Sequence, residues 1–168
     1  RARMSGLRLD RERARREADQ FRAETRELAD AVERDSLTGI GNRRAFDRAL
    51  GALLSQGETR CTLALIDCDH FKAVNDRASH LAGDRVLQRI AKVLTQASRK
   101  SDLAARFGGD EFAVVFADAG RDEAANVCER IRAAIEQHAD DGAPAVTVSV
   151  GVAAAALGDT VERLIGRA

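Results

Sequence analysis

Three features of this sequence predict an α/β (α+β) fold, with a central mixed sheet flanked by helices and a long amino-terminal helix before it. Helical and strand-like patterns alternate along residues 35–168. The run from Cys61 to Asp69 is apolar on both faces, as a central strand covered on each side must be. Residues 1–34 carry a charged, seven-residue repeat with no proline and no glycine after Gly6.

The amino-terminal helix comes first. Leu7, Ala14, Phe21 and Leu28 recur every seven residues, and Met4, Arg11, Ala18, Thr25 and Val32 form a second row offset by three. Together they make an a/d seam of a coiled coil, weak because Arg11 and Thr25 are polar and two positions are only alanine. At about 1.5 Å per residue such a helix extends about 45 Å, a length that calls for a partner. The alternative is a solitary solvated helix. Asp35 to Asn42 contains two glycines and several capping residues and breaks the helix. The next helix carries Phe46, Leu50, Leu53 and Leu54 on one face.

Cys61 to Asp69 follows as the central strand, with Leu63 and Leu65 on one side and Ala64 and Ile66 on the other. Asp67 and Asp69 end it, two apart and so on the same side. Asn75-Asp76 lie in a turn or short helix. Gly83-Asp84 open a helix bearing Val86, Leu87, Ile90, Val93 and Leu94. Strands over Leu103 to Phe107 and Phe112 to Phe116 flank Gly108-Gly109, a pair read as a tight hairpin because glycine tolerates positive φ. A helix from Asp122 to His138 and an alternating strand from Ala145 to Ala153 complete the sheet, and Asp159 starts a last helix. Beyond the amino-terminal heptads no internal repeat is evident.

Composition narrows the function. With 27 basic and 27 acidic residues the chain is formally neutral, which argues against a dedicated binder of nucleic-acid polymers. Cys61, Cys68 and Cys128 are widely spaced and fall in a strand or a helix, so they read as core residues of a reducing, cytoplasmic protein rather than a metal or disulfide set. No apolar run approaches membrane-spanning length. The chain starts at Arg1, so it is expected to be part of a longer protein, with any membrane anchor in an upstream region.

The chemistry gathers at the ends of the central strands. Asp67, Asp110 and Glu111 are three carboxylates on neighbouring strand ends. Two carboxylates brought to about 4 Å repel by about 4 kcal/mol at an effective dielectric of about 20, so the cluster calls for a cation or a proton. Hard oxygen ligands favour Mg²⁺ or a related ion, which also takes phosphate oxygens. Lys72 and Arg106 are near in sequence and offset phosphate charge. The composite is a metal-dependent nucleotide site. The bland alternative is an acidic surface hairpin.

These residues also carry a family resemblance. Asp35-x-Leu37-Thr38-Gly39-x-x-Asn42-Arg43-Arg44, Asp67-x-Asp69-x-Phe71-Lys72-x-x-Asn75-Asp76, His80-x-x-Gly83-Asp84 and Arg106-x-Gly108-Gly109-Asp110-Glu111-Phe112 occur in the order and spacing of the GGDEF domain of diguanylate cyclases. Val146 to Gly151 resembles that family's late strand. The resemblance covers residues 35–168 and implies a fold like the palm of polymerases and class III nucleotide cyclases. It implies condensation of two GTP into cyclic di-GMP and two pyrophosphates, each domain of a homodimer holding one GTP.

The resemblance assigns roles residue by residue. Asp67, Glu111 and Asp110, with the backbone carbonyl of Cys68, would hold two Mg²⁺ (or Mn²⁺) per active site, and the three carboxylates form the catalytic set. Asn75 and Asp84 would bind guanine, whose N1–H and N2–H₂ a carboxylate accepts and adenine lacks. His70, Phe71, Lys72, Arg106, Gly108 and Gly109 would line the substrate. Arg99-x-x-Asp102 matches the inhibitory product site, which Arg130 of a second domain would complete. The rival reading is a catalytically inactive module that senses GTP or cyclic di-GMP, and another nucleotide cyclase or hybrid dinucleotide synthase is a third. Two departures stand out. Ser79 replaces the glycine usual before His80, which is acceptable unless positive φ is required there. The family pattern also continues past Ala168, so the carboxy-terminal end is expected to be truncated.

Overall fold

The strand Thr62–Cys68 (β1) runs through the middle of the sheet because both of its faces are apolar. The computed structural model describes residues 15, 16, 18–21, 32–57, 60–137 and 142–168. The chain divides into two units, residues 1–33 and 34–168. In the first unit, residues 15, 16, 18–21 and 32 are helical, and Phe21 and Val32 are exposed. The seam positions Met4, Leu7, Arg11, Ala14, Thr25 and Leu28 lie outside the described residues.

The second unit opens on a turn and then helix α1, Arg43–Ser55, whose N-cap Asn42 accepts the Ala45 N–H at 3.1 Å. After β1 come α2, Phe71–Arg77, and α3, His80–Ala97. Ser79 has φ of 170°, an extended backbone that any residue adopts, and its hydroxyl accepts the Ala82 N–H at 3.1 Å. The serine therefore serves as an N-cap and needs no glycine geometry. The hairpin strands are β2, Leu103–Arg106, and β3, Glu111–Phe116. Helix α4, Arg121–Gln137, strand β4, Val148–Ala154, and helix α5, Val161–Ile165, complete the order.

The strands lie in the order β2-β3-β1-β4, and all three ladders are antiparallel. The expected mixing of parallel and antiparallel neighbours is therefore corrected. The crossover through α2 and α3 does make β2 run the same way as β1, but β3 folds back and inserts between them, the split β-α-β arrangement. Parallel pairing survives among the described residues only as an isolated bridge from Gly41 to Ala105.

Period-two alternation sends β1 side chains to two cores. Ala64, Ile66 and Cys68 pack with Phe112, Val114 and the helix residues Val86, Ile90, Leu94, Ile131 and Ile135. Leu63 packs with Ala113, Val115 and Ala153 against Phe46 and Leu50 of α1 and Leu164 of α5. Phe46, Phe112, Ile90 and Ile131 are essentially fully buried, each contributing about 2 kcal/mol. Cys61, Cys68 and Cys128 are free and buried, and burial pushes the Cys68 and Cys128 thiols up to about 12 and about 11. They are core residues, as the sequence suggested. Strand β4 starts three residues later than its valine alternation implied: Ala143 and Pro144 are held by the Arg89 side chain, and Thr147 is bound to Asp69 just past the end of β1.

Candidate active site

The β1–β3 register sets Asp67 directly opposite Glu111, and the β1–β4 register sets Asp67 opposite Ser149. Facing side chains in such pairs start about 5 Å apart. Asp67 shares its face with Leu63 and Leu65, the face that α1 and α5 cover at the far end of the sheet. At the near end a cleft of about 340 Å³ remains, lined by Leu65, Asp67, Phe107, Glu111, Ser149 and Gly151.

The hairpin beside it is closed by the Phe107 and Gly108 N–H groups, which donate to the Glu111 carbonyl at 2.8 and 3.1 Å. Neither Gly108 nor Gly109 has a left-handed φ, which corrects the reason given for the glycine pair. A Cβ at Gly108 would meet the Glu111 carboxylate, the far end of an exposed side chain that can swing aside, so the glycine lets that carboxylate lie close over the turn. A Cβ at Gly109 would meet nothing, and its backbone borders open space. Phe107 is itself held by the Arg43 guanidinium, 3.8 Å from the ring centroid, and by an edge-on contact with Phe46 at 5.0 Å.

Asp110 joins the site mainly through its backbone. Its carbonyl accepts the Cys68 N–H at 3.2 Å and ties the hairpin to the end of β1. Among the described residues no three His, Cys, Asp or Glu side chains are gathered closely enough to hold an ion together, although the Asp110 carboxylate is near enough to Asp67 to act on its charge. Burial, and then the carboxylates of Asp110 and Asp69, push the Asp67 carboxyl above its usual range. The site thus holds an excess of negative charge. Its donors are hard oxygens on two facing carboxylates, with the Cys68 backbone beside them. That set fits Mg²⁺, which takes one or two carboxylates and completes its shell with water and phosphate.

Arg106 is engaged within the domain. Its guanidinium donates to the Gly109 carbonyl at 2.6 and 3.1 Å and to the Asp35 carboxylate at 3.3 Å. It clasps the hairpin to the turn after residue 34 and is not among the residues lining the cleft. Asp35 also accepts the Thr38 N–H at 2.9 Å and hydroxyl at 2.6 Å. Burial works against its charge, but these bonds and Arg106 hold its carboxyl below the usual value.

The remaining substrate candidates sit on α2 and α3. His70 opens α2 with φ of 57°, and its carbonyl accepts the Ala73 and Val74 N–H groups. Phe71 packs on the core, while Lys72 is exposed. The Asn75 Oδ1 is buried without a hydrogen-bond partner in this structure, and it occupies the space where a Gly83 side chain would be. Leaving a buried acceptor unmet costs about 1–3 kcal/mol. Half-buried Asp84 follows Gly83 directly.

Arg99 and Asp102 form one closed turn. The Arg99 N–H donates to the Asp102 carboxylate at 2.8 Å, and the Asp102 N–H donates back to the Arg99 carbonyl at 3.0 Å. The Arg99 guanidinium meets exposed Glu123 at 2.8 Å. A groove of about 480 Å³ beside this turn is lined by Arg34, Thr95, Arg99, Lys100 and Asp102. Arg130 is exposed on α4, two turns beyond Glu123. Sequence reasoning missed three features: the Asp35–Arg106 clasp, buried Arg89, and the hydroxyls of Thr147 and Ser149 on Asp69. The two-residue spacing of Thr147 and Ser149 at the start of the alternating valine run was the available signal for the last.

A split β-α-β sheet with an acid-bearing hairpin at the mouth of a small cleft defines a palm-like α/β domain. The family model for the diguanylate cyclase GGDEF domain matches residues 32–168, and the chain belongs to that family. It is 39% identical over 140 residues to diguanylate cyclase VdcA of Vibrio cholerae, covering 80% of this chain and 41% of VdcA. It resembles the crystal structure of diguanylate cyclase SiaD of Pseudomonas aeruginosa in complex with its activator SiaC, with a TM-score of 0.79 and 32% identity over 99% of this chain and 68% of that one. The coiled coil and GGDEF domain of DgcB from Caulobacter crescentus, in complex with c-di-GMP, gives the same TM-score at 29% identity, covering 96% of this chain and 90% of that one. The chain spans less than half the length of the curated relatives it matches. No helix among the described residues is long and apolar enough to cross a membrane.

Proposed function

We propose that this domain condenses two GTP molecules into cyclic di-GMP with release of two pyrophosphates, two domains facing each other. The observation that carries the reading is the register of Asp67 against Glu111 at the mouth of the cleft, beside the open backbone of Gly109. Membership in a family that generally uses divalent metal supports it. A divalent cation bound there supplies charge stabilisation at the α-phosphate and a lowered pKa for the attacking 3′-hydroxyl. Asp67 and Glu111 hold that charge in place, assisted by the Cys68 carbonyl. The Gly108-Gly109 turn admits the phosphates, with Lys72 beside them. The unmet Oδ1 of Asn75 accepts from the guanine edge, and Asp84 accepts from N1–H and N2–H₂, which selects guanine over adenine.

Product binds at Arg99 and Asp102, with Arg130 of a second domain closing over it. The c-di-GMP complex of the related DgcB supports product binding in a domain of this fold. Dimerisation through residues 1–34 supplies the second domain, and the match to the coiled coil and GGDEF domain of DgcB supports that part. The test is turnover of GTP against ATP with Mg²⁺, products resolved by chromatography. Cyclic di-GMP from GTP alone is expected. Binding of GTP without turnover in the full-length protein would move the assignment to a sensing module, and a mixed dinucleotide would move it to a hybrid synthase.

A further inference from the structure

Asp69 lies just past the last residue of β1, and its two carboxylate oxygens are both engaged. One accepts the Thr147 hydroxyl at 2.6 Å and the other the Ser149 hydroxyl at 2.7 Å. The backbone closes the same joint, since the Asp69 N–H donates to the Thr147 carbonyl at 3.0 Å. The segment entering β4 is fastened from the helix side as well. Arg89 of α3, only 4% exposed, donates to the carbonyls of Ala143 at 3.3 Å and Pro144 at 2.6 Å. Asp69 lines a separate cavity of about 410 Å³ with Ala73, Arg77, Pro144 and Val146, and it is not among the residues lining the Asp67–Glu111 cleft. Ser149 does line that cleft and stands opposite Asp67.

We propose that Asp69 is a positioning residue: through Thr147 and Ser149 it locks the end of β1 against β4, so that Asp67 and the Cys68 carbonyl are held facing Glu111. This rests on the reading of Asp67 and Glu111 as the metal–nucleotide site. Asp69 itself contributes no ligand. Outer partners that orient metal ligands in this way commonly change metal affinity by about 10- to 100-fold when removed.

The test uses the full-length protein and three variants: Asp69→Ala, the double variant Thr147→Val/Ser149→Ala, and the triple combination. Affinity for Mn²⁺ with a non-hydrolysable GTP analogue is read by electron paramagnetic resonance, and melting temperature is recorded alongside. Asp69→Ala is expected to weaken Mn²⁺ binding at least about tenfold. The hydroxyl double variant should match it, and the triple variant should be no worse, because all three remove one joint. If alanine at 69 unfolds the protein, Asp69→Asn keeps the shape and one acceptor, and should lose as much as one hydroxyl deletion. A larger loss for Asp69→Ala than for the double variant, adding up in the triple, would make Asp69 a direct ligand and overturn the proposal. Unchanged Mn²⁺ affinity in every variant would overturn it too. Glu111→Gln is the control: if it binds Mn²⁺ like the parent, the metal-site reading fails, whatever Asp69 does.

Discussion

Asp67 and Glu111 occupy equivalent places on adjacent strands but stand in different surroundings. Asp67 is held above its usual carboxylate range by burial and by two neighbouring acids, whereas Glu111 packs over the side-chain-free Gly108. Both would carry the charge that offsets a divalent cation. Glu111→Gln and Asp67→Asn are each expected to lower turnover at least about a hundredfold with the fold intact, the scale on which preorganised electrostatic groups act. Near-parental rates with Mg²⁺ in either variant would sink the assignment. Arg99 makes a different prediction, because its guanidinium is on the surface and meets only an exposed partner in Glu123. Such a pair contributes little to stability. Arg99→Ala should therefore leave the fold and catalysis in place while weakening cyclic di-GMP binding and relieving inhibition, by loss of bidentate contacts. Calorimetry with unchanged product affinity would count against it.

Between residue 34 and the hairpin, a loop and a strand end act as one element. Asp35 grips the start of the turn through Thr38, and Arg106 connects it to the carbonyl of Gly109. Asp35→Ala leaves a half-buried guanidinium with one partner fewer and is expected to destabilise the domain by about 2 kcal/mol in urea. The pH dependence has a definite sign. The Asp35 carboxyl is held below its ordinary value of 3.8, so the unfolded chain binds its proton first as pH falls. Its contribution is fully present above that value and is lost as pH drops through the lower, folded one. The gap between parent and Asp35→Ala should therefore be widest near neutrality and close in acid. A gap that widens in acid would show that the clasp is not ionic. This element was only partly legible beforehand. The capping residues of 35–42 marked a turn, but nothing local indicated that Arg106, 71 positions away, would bind it.

At the scale of the whole molecule, the domain presents one candidate metal–nucleotide site, whereas the proposed reaction joins two nucleotides. Output then depends on how two copies are brought together, the role assigned to residues 1–34. Their seam is weak, with alanine and threonine at several apolar positions, and it can populate more than one register that an upstream signal biases. Deleting residues 1–30 is expected to leave a largely monomeric protein at micromolar concentration, with a rate per domain that rises steeply with concentration. Light scattering and rate-against-concentration curves check this. A dimeric deletion form with an unchanged rate per domain would show that the helix is not the dimerisation device.

The sequence by itself determined most elements of residues 34–168 and nominated the residues of the candidate site. Apolar periods of two and of three to four are local properties, so β1, α3 and the cysteine-filled core were readable from spacing. The acids of the hairpin were readable as well, because their neighbours along the chain are part of their chemistry. Only the tertiary structure decided that β3 inserts between β1 and β2 and turns every ladder antiparallel, since pairing partners are chosen by packing across the sheet. It also decided that Gly108 makes room for Glu111, that Arg106 clasps Asp35, and that Thr147 and Ser149 hold Asp69. Each of these is a contact between groups distant in sequence or a steric limit set by a neighbour, and local pattern carries no record of either.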